Sequence, residues 1–408
     1  MQGDSGYREV EVVERYGQSL RFTIESVPVL VLRGSYEELG VAHGVLAGKE
    51  IIELLDSVLI PYVNKKHPDA WDRQILPVAN TFVFPEKYEI ELQGIMQGIK
   101  TKYPDRHDRM LFSVRREIRI DDLRALNSIL DIMDSLNACS SFSAWGTLTE
   151  NGKVICGRNL DQVYIPGKMP FMVLSREPAD LSRKATIEIS GPGFIGASTA
   201  INEDGVAVLT HYEDGLQTSH KILWVPRAIV LRDAIESAGN TDSLAQIAAT
   251  FKNRPVRVGN STHICFPMSV PSSKQTPFVV EWDGNQKDEG VSVRTEDLSV
   301  TKDAIVCTNH FITRRNSTEG TSNSSRVRFE TLADSLRECK KSACIIDFEK
   351  AAQIMDAVAQ NGQTVTYLSV VVFPEERKLI FAITPGRGIS ATRGDWIQIT
   401  WDQIFGVN

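Results

Sequence analysis

The stretch from Cys139 to Asp161, Cys-Ser-Ser-Phe-Ser-Ala-Trp-Gly-Thr-Leu-Thr-Glu-Asn-Gly-Lys-Val-Ile-Cys-Gly-Arg-Asn-Leu-Asp, constrains the fold most. Two runs rich in β-branched and aromatic residues flank Asn151-Gly152, the strongest two-residue hairpin signal. The stretch therefore reads as one β-hairpin. With Asn151 and Gly152 as the turn, Glu150 opposes Lys153 and, further out, Trp145 opposes Arg158. Opposed residues share a face, and so do alternate residues along a strand. Ser143, Ser141 and Cys139 thus join Trp145 and Arg158 on one side of a sheet. A thiol and a guanidinium point the same way. Asp161 has the other parity and joins them only if the strand bulges or ends near Asn159.

Composition narrows the classes. The 408 residues are 42% hydrophobic and 24% charged, as in a globular protein with a sizeable core. The net charge of −7 argues against a nucleic-acid partner, which selects a basic surface. No run approaches the roughly 18 apolar residues that read as a membrane span. Met1-Gln-Gly-Asp-Ser-Gly-Tyr7 lacks a charged-then-apolar leader. The sequence as given therefore reads as cytoplasmic, or as secreted or organellar if a leader has been removed. The six cysteines, Cys139, Cys156, Cys265, Cys307, Cys339 and Cys344, form no C-x-x-C pair and no zinc spacing with histidine. No disulfide framework, metal or cofactor is expected.

Along the chain, Val27 to Arg33 reads as a strand. Ser35-Tyr-Glu-Glu38 is a capping box that opens a helix, which Pro61 is expected to stop. Gly40, Gly44 and Gly48 recur every fourth residue, a spacing that lets another backbone approach closely. His43 among them is expected to be structural. Tyr88 to Ile99 and Asp121 to Ser135 read as further helices. After the hairpin, strand-like runs dominate, interrupted by helices from Pro226, from Arg326 and from Asp347, and strands close the chain. Strands, helices, then strands predict one layered α+β domain built on sandwiched sheets.

Several separated motifs now point one way. Cys139-Ser-Ser-Phe followed by Gly157-Arg158-Asn159-Leu160-Asp161 resembles the mature start of cysteine N-terminal nucleophile (Ntn) hydrolases. Within that superfamily the chain is most similar to the peptidase C45 group, which contains acyl-coenzyme A:6-aminopenicillanic acid acyltransferase. Tyr36 to Gly44, Glu91 to Gly98, Thr308-Asn309-His310-Phe311, Ser324-Ser325-Arg326-Val327-Arg328 and Thr366 to Val371 carry that likeness. The resemblance implies a four-layer αββα sandwich. It also implies a precursor cut autocatalytically at Ala138–Cys139. The products are a mainly helical α chain, residues 1–138, packed on the same fold, and a catalytic β chain, residues 139–408, the two remaining associated. The activity implied is cleavage or transfer of acyl groups at linear amide bonds, without a metal. The partners implied are a small-molecule N-acyl amide and an acyl-coenzyme A or amine acceptor, with homo-oligomer formation left open.

The chemistry explains the residue types. A thiolate attacks, and a free thiol is only partly ionised near neutral pH. Once Cys139 is terminal, its own α-amine can take the thiol proton, so one residue supplies nucleophile and base. Ala138 is small and Asn137 is a turn former, which suits a bend at the bond to be cut. The resemblance assigns Asp161 to orient the amine and Arg158 to favour the thiolate. It assigns Arg326 to the site, with Arg328, by proximity, as the rival that falls on the helix surface. The resemblance places Asn260 as an oxyanion donor, with a backbone N–H near His211-Tyr212 as the candidate second one, against the plainer reading of Asn260 as a turn residue before a strand. His310 is structural in this chemistry. Asn260, Asn316 and Asn323 each open an N-x-Ser/Thr sequon, read as accidental.

Two other readings compete. A papain-like cysteine protease would pair Cys139 with His263 or His310, without chain cleavage, but the local signature of that family is missing. A catalytically silent relative would keep the fold and bind a partner. The acyl group, and water against amine as acceptor, are not written in the motifs. Phe142 and Trp145 suit an apolar acyl chain, although aromatics beside a strand are usually core.

Overall fold

The structure, a computed structural model, describes residues 12–407 apart from 66, 134–136, 167–168, 214–222, 269–275, 285–288, 296–299 and 315–322. The Asn316 sequon lies outside the described residues.

Two sheets form the centre. In spatial order the larger holds β1 (Val12–Tyr16), β2 (Ser19–Ile24), β3 (Val27–Gly34), β8 (Met172–Pro178), β9 (Thr186–Ser190), β10 (Thr199–Asn202), β11 (Ala207–Glu213), β12 (Gly259–Cys265), β13 (Phe278–Trp282) and β14 (Val291–Arg294). The smaller holds β15 (Ala304–Cys307), β6 (Asn137–Gly146), β7 (Gly152–Val163), β16 (Thr364–Phe373), β17 (Lys378–Ile383) and β18 (Trp396–Thr400). Neighbours pair antiparallel except β3 and β8, which run parallel. A separate short ribbon joins β4 (Met110–Leu111) to β5 (Arg116–Glu117).

Alternation along the strands decides the layers. Leu209, Cys265, Cys156, Leu368 and Val370 face one another between the sheets. Their strand neighbours face outward. Val208 and Ile264 meet α6 (Arg227–Ser237) and α7 (Leu244–Ala249). Phe142 and Val371 meet α8 (Asn323–Lys341) and α9 (Phe348–Asp356). The result is the expected four-layer αββα sandwich.

The chain ahead of Cys139 adds α1 (Tyr36–Glu53), α2 (Ile60–Asn64), α3 (Leu76–Ala79), α4 (Glu86–Lys102) and α5 (Ile120–Ile132), while α10 (Trp401–Phe405) ends the fold. Ser35 and Glu38 form the expected capping box of α1. Gly40 and Gly44 act as their spacing predicts, whereas Gly48 faces the side chains of Tyr103 and Ile99. A Cβ on Gly40 would lie 2.1 Å from Glu91 O and one on Gly44 2.2 Å from Ile95 O, so α1 and α4 touch backbone to backbone. Pro61 does not stop the helix. A π-helical turn at Leu54–Leu59 precedes it, and the helical path continues through α2. Widening the turn frees the carbonyl that a proline ring would otherwise strike.

The hairpin forms with its parity as expected and its register displaced. Gly146 pairs with Gly152, and Arg158 opposes Ser141, not Trp145. The expected Asn151-Gly152 turn does form, with φ of 56° and 72° and Lys153 N–H donating to Glu150 O at 3.3 Å, but it lies beyond the Gly146–Gly152 pair and does not end the ladder. Asp303 is the reason: its backbone carbonyl accepts from Trp145 N–H at 3.0 Å and its carboxylate from Thr147 N–H at 3.2 Å, which pulls the loop out of the ladder.

Candidate active site

Cys139 is buried on the inter-sheet face of β6. Arg158 is enclosed on the same face of β7. Its Nη2 lies 3.6 Å from Cys139 Sγ and donates to Thr210 O at 2.8 Å, while Nη1 donates to Thr199 Oγ1. Two strands of the facing sheet therefore hold the guanidinium against the thiol. Burial raises the Cys139 thiol pKa, and the Arg158 charge is the main opposing influence. The thiol is the resting form in the continuous chain.

Asp161 opposes Ala138 and keeps the other parity. β7 itself does not bulge there. The irregularity is in β16, where Tyr367 is skipped between the pairs Thr366–Asp161 and Leu368–Leu160. Asp161 Oδ1 accepts from Thr366 Oγ1 at 2.6 Å. Oδ2 is buried without a partner. Burial pushes the Asp161 carboxyl up to about 6, against the pull of the Arg328 charge, the Thr366 hydroxyl and the Arg158 charge.

The backbone of Cys139 is gripped as closely as its thiol. Its N–H donates to Asn309 Oδ1 at 2.6 Å. Arg328 Nη2 donates to the same oxygen at 3.0 Å, and Nη1 to Cys139 O and, at 2.7 Å, to Ser140 Oγ. Asn309 Nδ2 donates to Tyr212 O at 2.7 Å. Glu281 anchors the loop beyond Asn309 by accepting from Ile312 and Thr313 N–H, each at 2.8 Å. Sheet, helix and loop thus converge on one residue.

Arg326 does not join this cluster. It is exposed on α8, whereas Arg328 is buried. Helical phase is the reason: Ser325, Arg328, Phe329, Leu332 and Leu336 form the buried stripe of α8, and Arg326 lies two residues off it. That stripe was a usable signal for Arg328. Asn309 had a weaker one, because Thr308-Asn309-His310-Phe311 was recognisable while no spacing assigned its side chain.

Asn260 is buried on β12 opposite Tyr212. Its Nδ2 donates to Val258 O at 3.1 Å, and Oδ1 accepts from Arg227 at 3.4 Å. Tyr212 turns its carbonyl to Asn309, and its ring lies under the Arg227 guanidinium.

The histidines are engaged elsewhere. His263 lies between Ser141 Oγ (2.9 Å) and Ser143 Oγ (2.8 Å), and His310 Nδ1 lies 2.9 Å from Ser325 Oγ. Burial, aided by the Arg294 charge, lowers them to about 3 and about 4 respectively, so both are neutral near pH 7. Neither is bonded to the thiol in a Cys–His pair. His43 accepts from Gly193 N–H at 3.0 Å within the helical layer, the structural role expected of it. Among the described residues no group of three or more His, Cys, Asp or Glu is arranged to hold a metal. No helix among them is long and apolar enough to cross a membrane.

Residues 147–381 match the acyl-coenzyme A:6-aminopenicillanic acid acyl-transferase family. The match begins after Cys139 and includes Arg158, Asp161, Asn309 and Arg328. An uncharacterized protein of Archaeoglobus fulgidus is 25% identical over 203 residues, 43% of this chain and 31% of that protein. The matched region thus spans about a third of that curated relative's length. Among solved structures, a mutant conjugated bile acid hydrolase from Clostridium perfringens aligns with a TM-score of 0.43 and 11% identity, over 65% of this chain and 93% of its own. The penicillin V acylase of Agrobacterium tumefaciens aligns with a TM-score of 0.42 and 12% identity, over 64% of this chain and 86% of its own.

Proposed function

The chain belongs to the acyl-coenzyme A:6-aminopenicillanic acid acyl-transferase family, and from that premise we propose that it is an autoprocessed, Cys139-dependent N-acyl amidohydrolase or acyltransferase. One observation carries the reading. The thiol of Cys139 lies 3.6 Å from Arg158, while the N–H and C=O of the same residue are held by Asn309 and Arg328. A merely structural cysteine does not need its backbone and thiol gripped from three elements. A residue that must become a precisely oriented chain terminus does.

In the self-cleavage step the Cys139 thiol, as thiolate, attacks the Ala138 carbonyl. The C–N bond breaks, a C–S bond forms, and the released nitrogen takes a proton to become the Cys139 α-amine. Water then hydrolyses the thioester, leaving the Ala138 carboxylate and the free thiol. Asp161 Oδ2, buried without a partner, is the acceptor that supports its role in orienting the new amine.

In turnover the α-amine takes the thiol proton, and the thiolate adds to the acyl carbonyl of the substrate. Arg158, and the amide hydrogen of Asn260 that Val258 does not use, are the donors suited to the charge that develops. The amine of the substrate leaves with the proton. Water or a second amine then takes the acyl group from sulfur. A parallel ladder from β3 to β8 and the enclosed pair Arg232–Glu91, 2.7 Å, join residues 1–138 to 139–408. These contacts support continued association of the fragments after cleavage.

The test is direct trapping. After incubation with an N-acyl amide and an acid quench, the peptide beginning at Cys139 should carry the acyl mass, and Cys139→Ser should abolish that thioester. Full turnover without any adduct in a rapid-quench series, in wild type and Cys139→Ala alike, would contradict the reading.

A further inference from the structure

Beyond Arg158 the inter-sheet face of β7 continues with Leu160, which opposes Cys139 across the hairpin, and then Gln162. Both line a cavity of about 100 Å³. Its walls are largely apolar. Leu54, Ile129 and Met133 come from the chain ahead of Cys139, and Phe171 and Ile189 from the chain after it.

The polar residues of the lining are Gln162 on β7 and Glu188, Ser190 and Ser198 on the facing side, and Glu188 alone among them carries a charge. That carboxylate is already satisfied: Ser198 N–H donates to it at 3.0 Å, and Arg176 holds it at 3.1 Å. Ser198 adjoins Thr199, which accepts from Arg158. The cavity therefore begins at Leu160, the cross-strand partner of Cys139, and at Ser198, next to the residue that holds Arg158, and its remaining lining is mainly hydrocarbon. A charged group entering it would lose its hydration without gaining an unpaired opposite charge from the lining.

Size narrows the ligand further. An apolar cavity of roughly 150 Å³ takes up benzene. A chamber of about 100 Å³ suits a smaller group. Met169, Pro170 and Phe171 partition it from a broader open cleft, so a longer chain must displace them.

We propose that this chamber is the acyl subsite of Cys139, that it selects short uncharged apolar acyl groups of roughly four to six carbons, and that residues ahead of Cys139 form its specificity wall. The proposal rests on the reading of Cys139 as the acylated nucleophile. The wall is built from both fragments. Gly193 N–H donates to His43 at 3.0 Å and Ile195 N–H to Asn127 at 2.8 Å, so the first fragment also pins the loop that lines the opposite side through Gly191 and Phe194. In this account the first fragment is retained as part of the substrate site.

A series of N-acyl amides from two to twelve carbons, with kcat/KM measured for each, tests it. The optimum is expected at roughly four to six carbons, because each methylene that fits or clashes in such a pocket shifts kcat/KM by about tenfold or more. Ile129→Trp should lower the six-carbon to two-carbon ratio about tenfold, and Met133→Ala should move the optimum to longer chains. If Cys139 is acylated but both variants keep the wild-type chain-length profile, the chamber assignment is overturned while the nucleophile reading stands. If no acyl amide of the series acylates Cys139, both fall.

Discussion

The amide of Cys139 and the side chain of Asn309 are hydrogen-bonded, N–H to Oδ1, at 2.6 Å. The same nitrogen is the atom that self-cleavage would release as the α-amine. An acceptor already in place on that atom means that the site orients it before it becomes a base. Asn309→Ala is expected to slow appearance of the two fragments about a hundredfold, the scale of a roughly 1 Å misplacement, as followed by a timed gel. A variant that cleaves at the wild-type rate would remove Asn309 from this role.

Arg328 and Arg326 make a paired test. Arg328→Ala removes charged donors to Cys139 O, Ser140 Oγ and Asn309 Oδ1. A destabilisation of about 2–3 kcal/mol is expected, together with loss of cleavage. Arg326→Ala, on the exposed face of α8, should stay within about 0.5 kcal/mol of wild type in denaturant unfolding. The reverse order of effects would return the site to Arg326.

The Asp161 carboxyl, pushed up to about 6 by burial, sets an acid limit. Self-cleavage of the continuous chain should slow as the pH drops through about 6, and Asp161→Asn should lose that limb along with most of its rate. Stability has the opposite sign. Between the unfolded value near about 4 and the folded value of about 6, the folded chain binds more protons. Stability contributed by this group is therefore present at low pH and declines as the pH rises through that window. In an uncleavable Cys139→Ala background, Asp161→Asn should gain about 2–3 kcal/mol relative to its parent between pH 4 and pH 7.

Helix contact gives a purely structural test. A Cβ on Gly44 would sit 2.2 Å from Ile95 O and one on Gly98 2.1 Å from Val41 O, both against backbone that cannot rotate away. Gly44→Ala should cost at least about 1–3 kcal/mol, the range of overpacked cores, seen as a lower thermal midpoint. Gly362→Ala is the useful contrast. Nothing lies within 4 Å of its Cβ, so any loss there comes from its φ of +107° alone.

Parity made much of the site legible and register did not. Cys139, Ser141, Ser143 and Arg158 were assigned to one face because alternation survives any displacement by an even number of residues. The displacement from Trp145 to Ser141 opposite Arg158 is four residues. What moved it, Asp303 bonded to Trp145 and Thr147, is more than 150 residues away in sequence and leaves no local mark. The anticipated bulge also appeared on the partner strand, at Tyr367, and not in β7. Contacts of that kind are settled by tertiary packing. By contrast, the choice of Arg328 over Arg326 was encoded locally in the helical stripe through Phe329 and Leu332.

Intact-mass analysis of the purified full-length protein tests the central claim most directly. The account predicts two fragments, one ending at Ala138 and one beginning at Cys139, and a single uncut chain for Cys139→Ala. An uncut wild-type chain that nonetheless turns over N-acyl amides would contradict it.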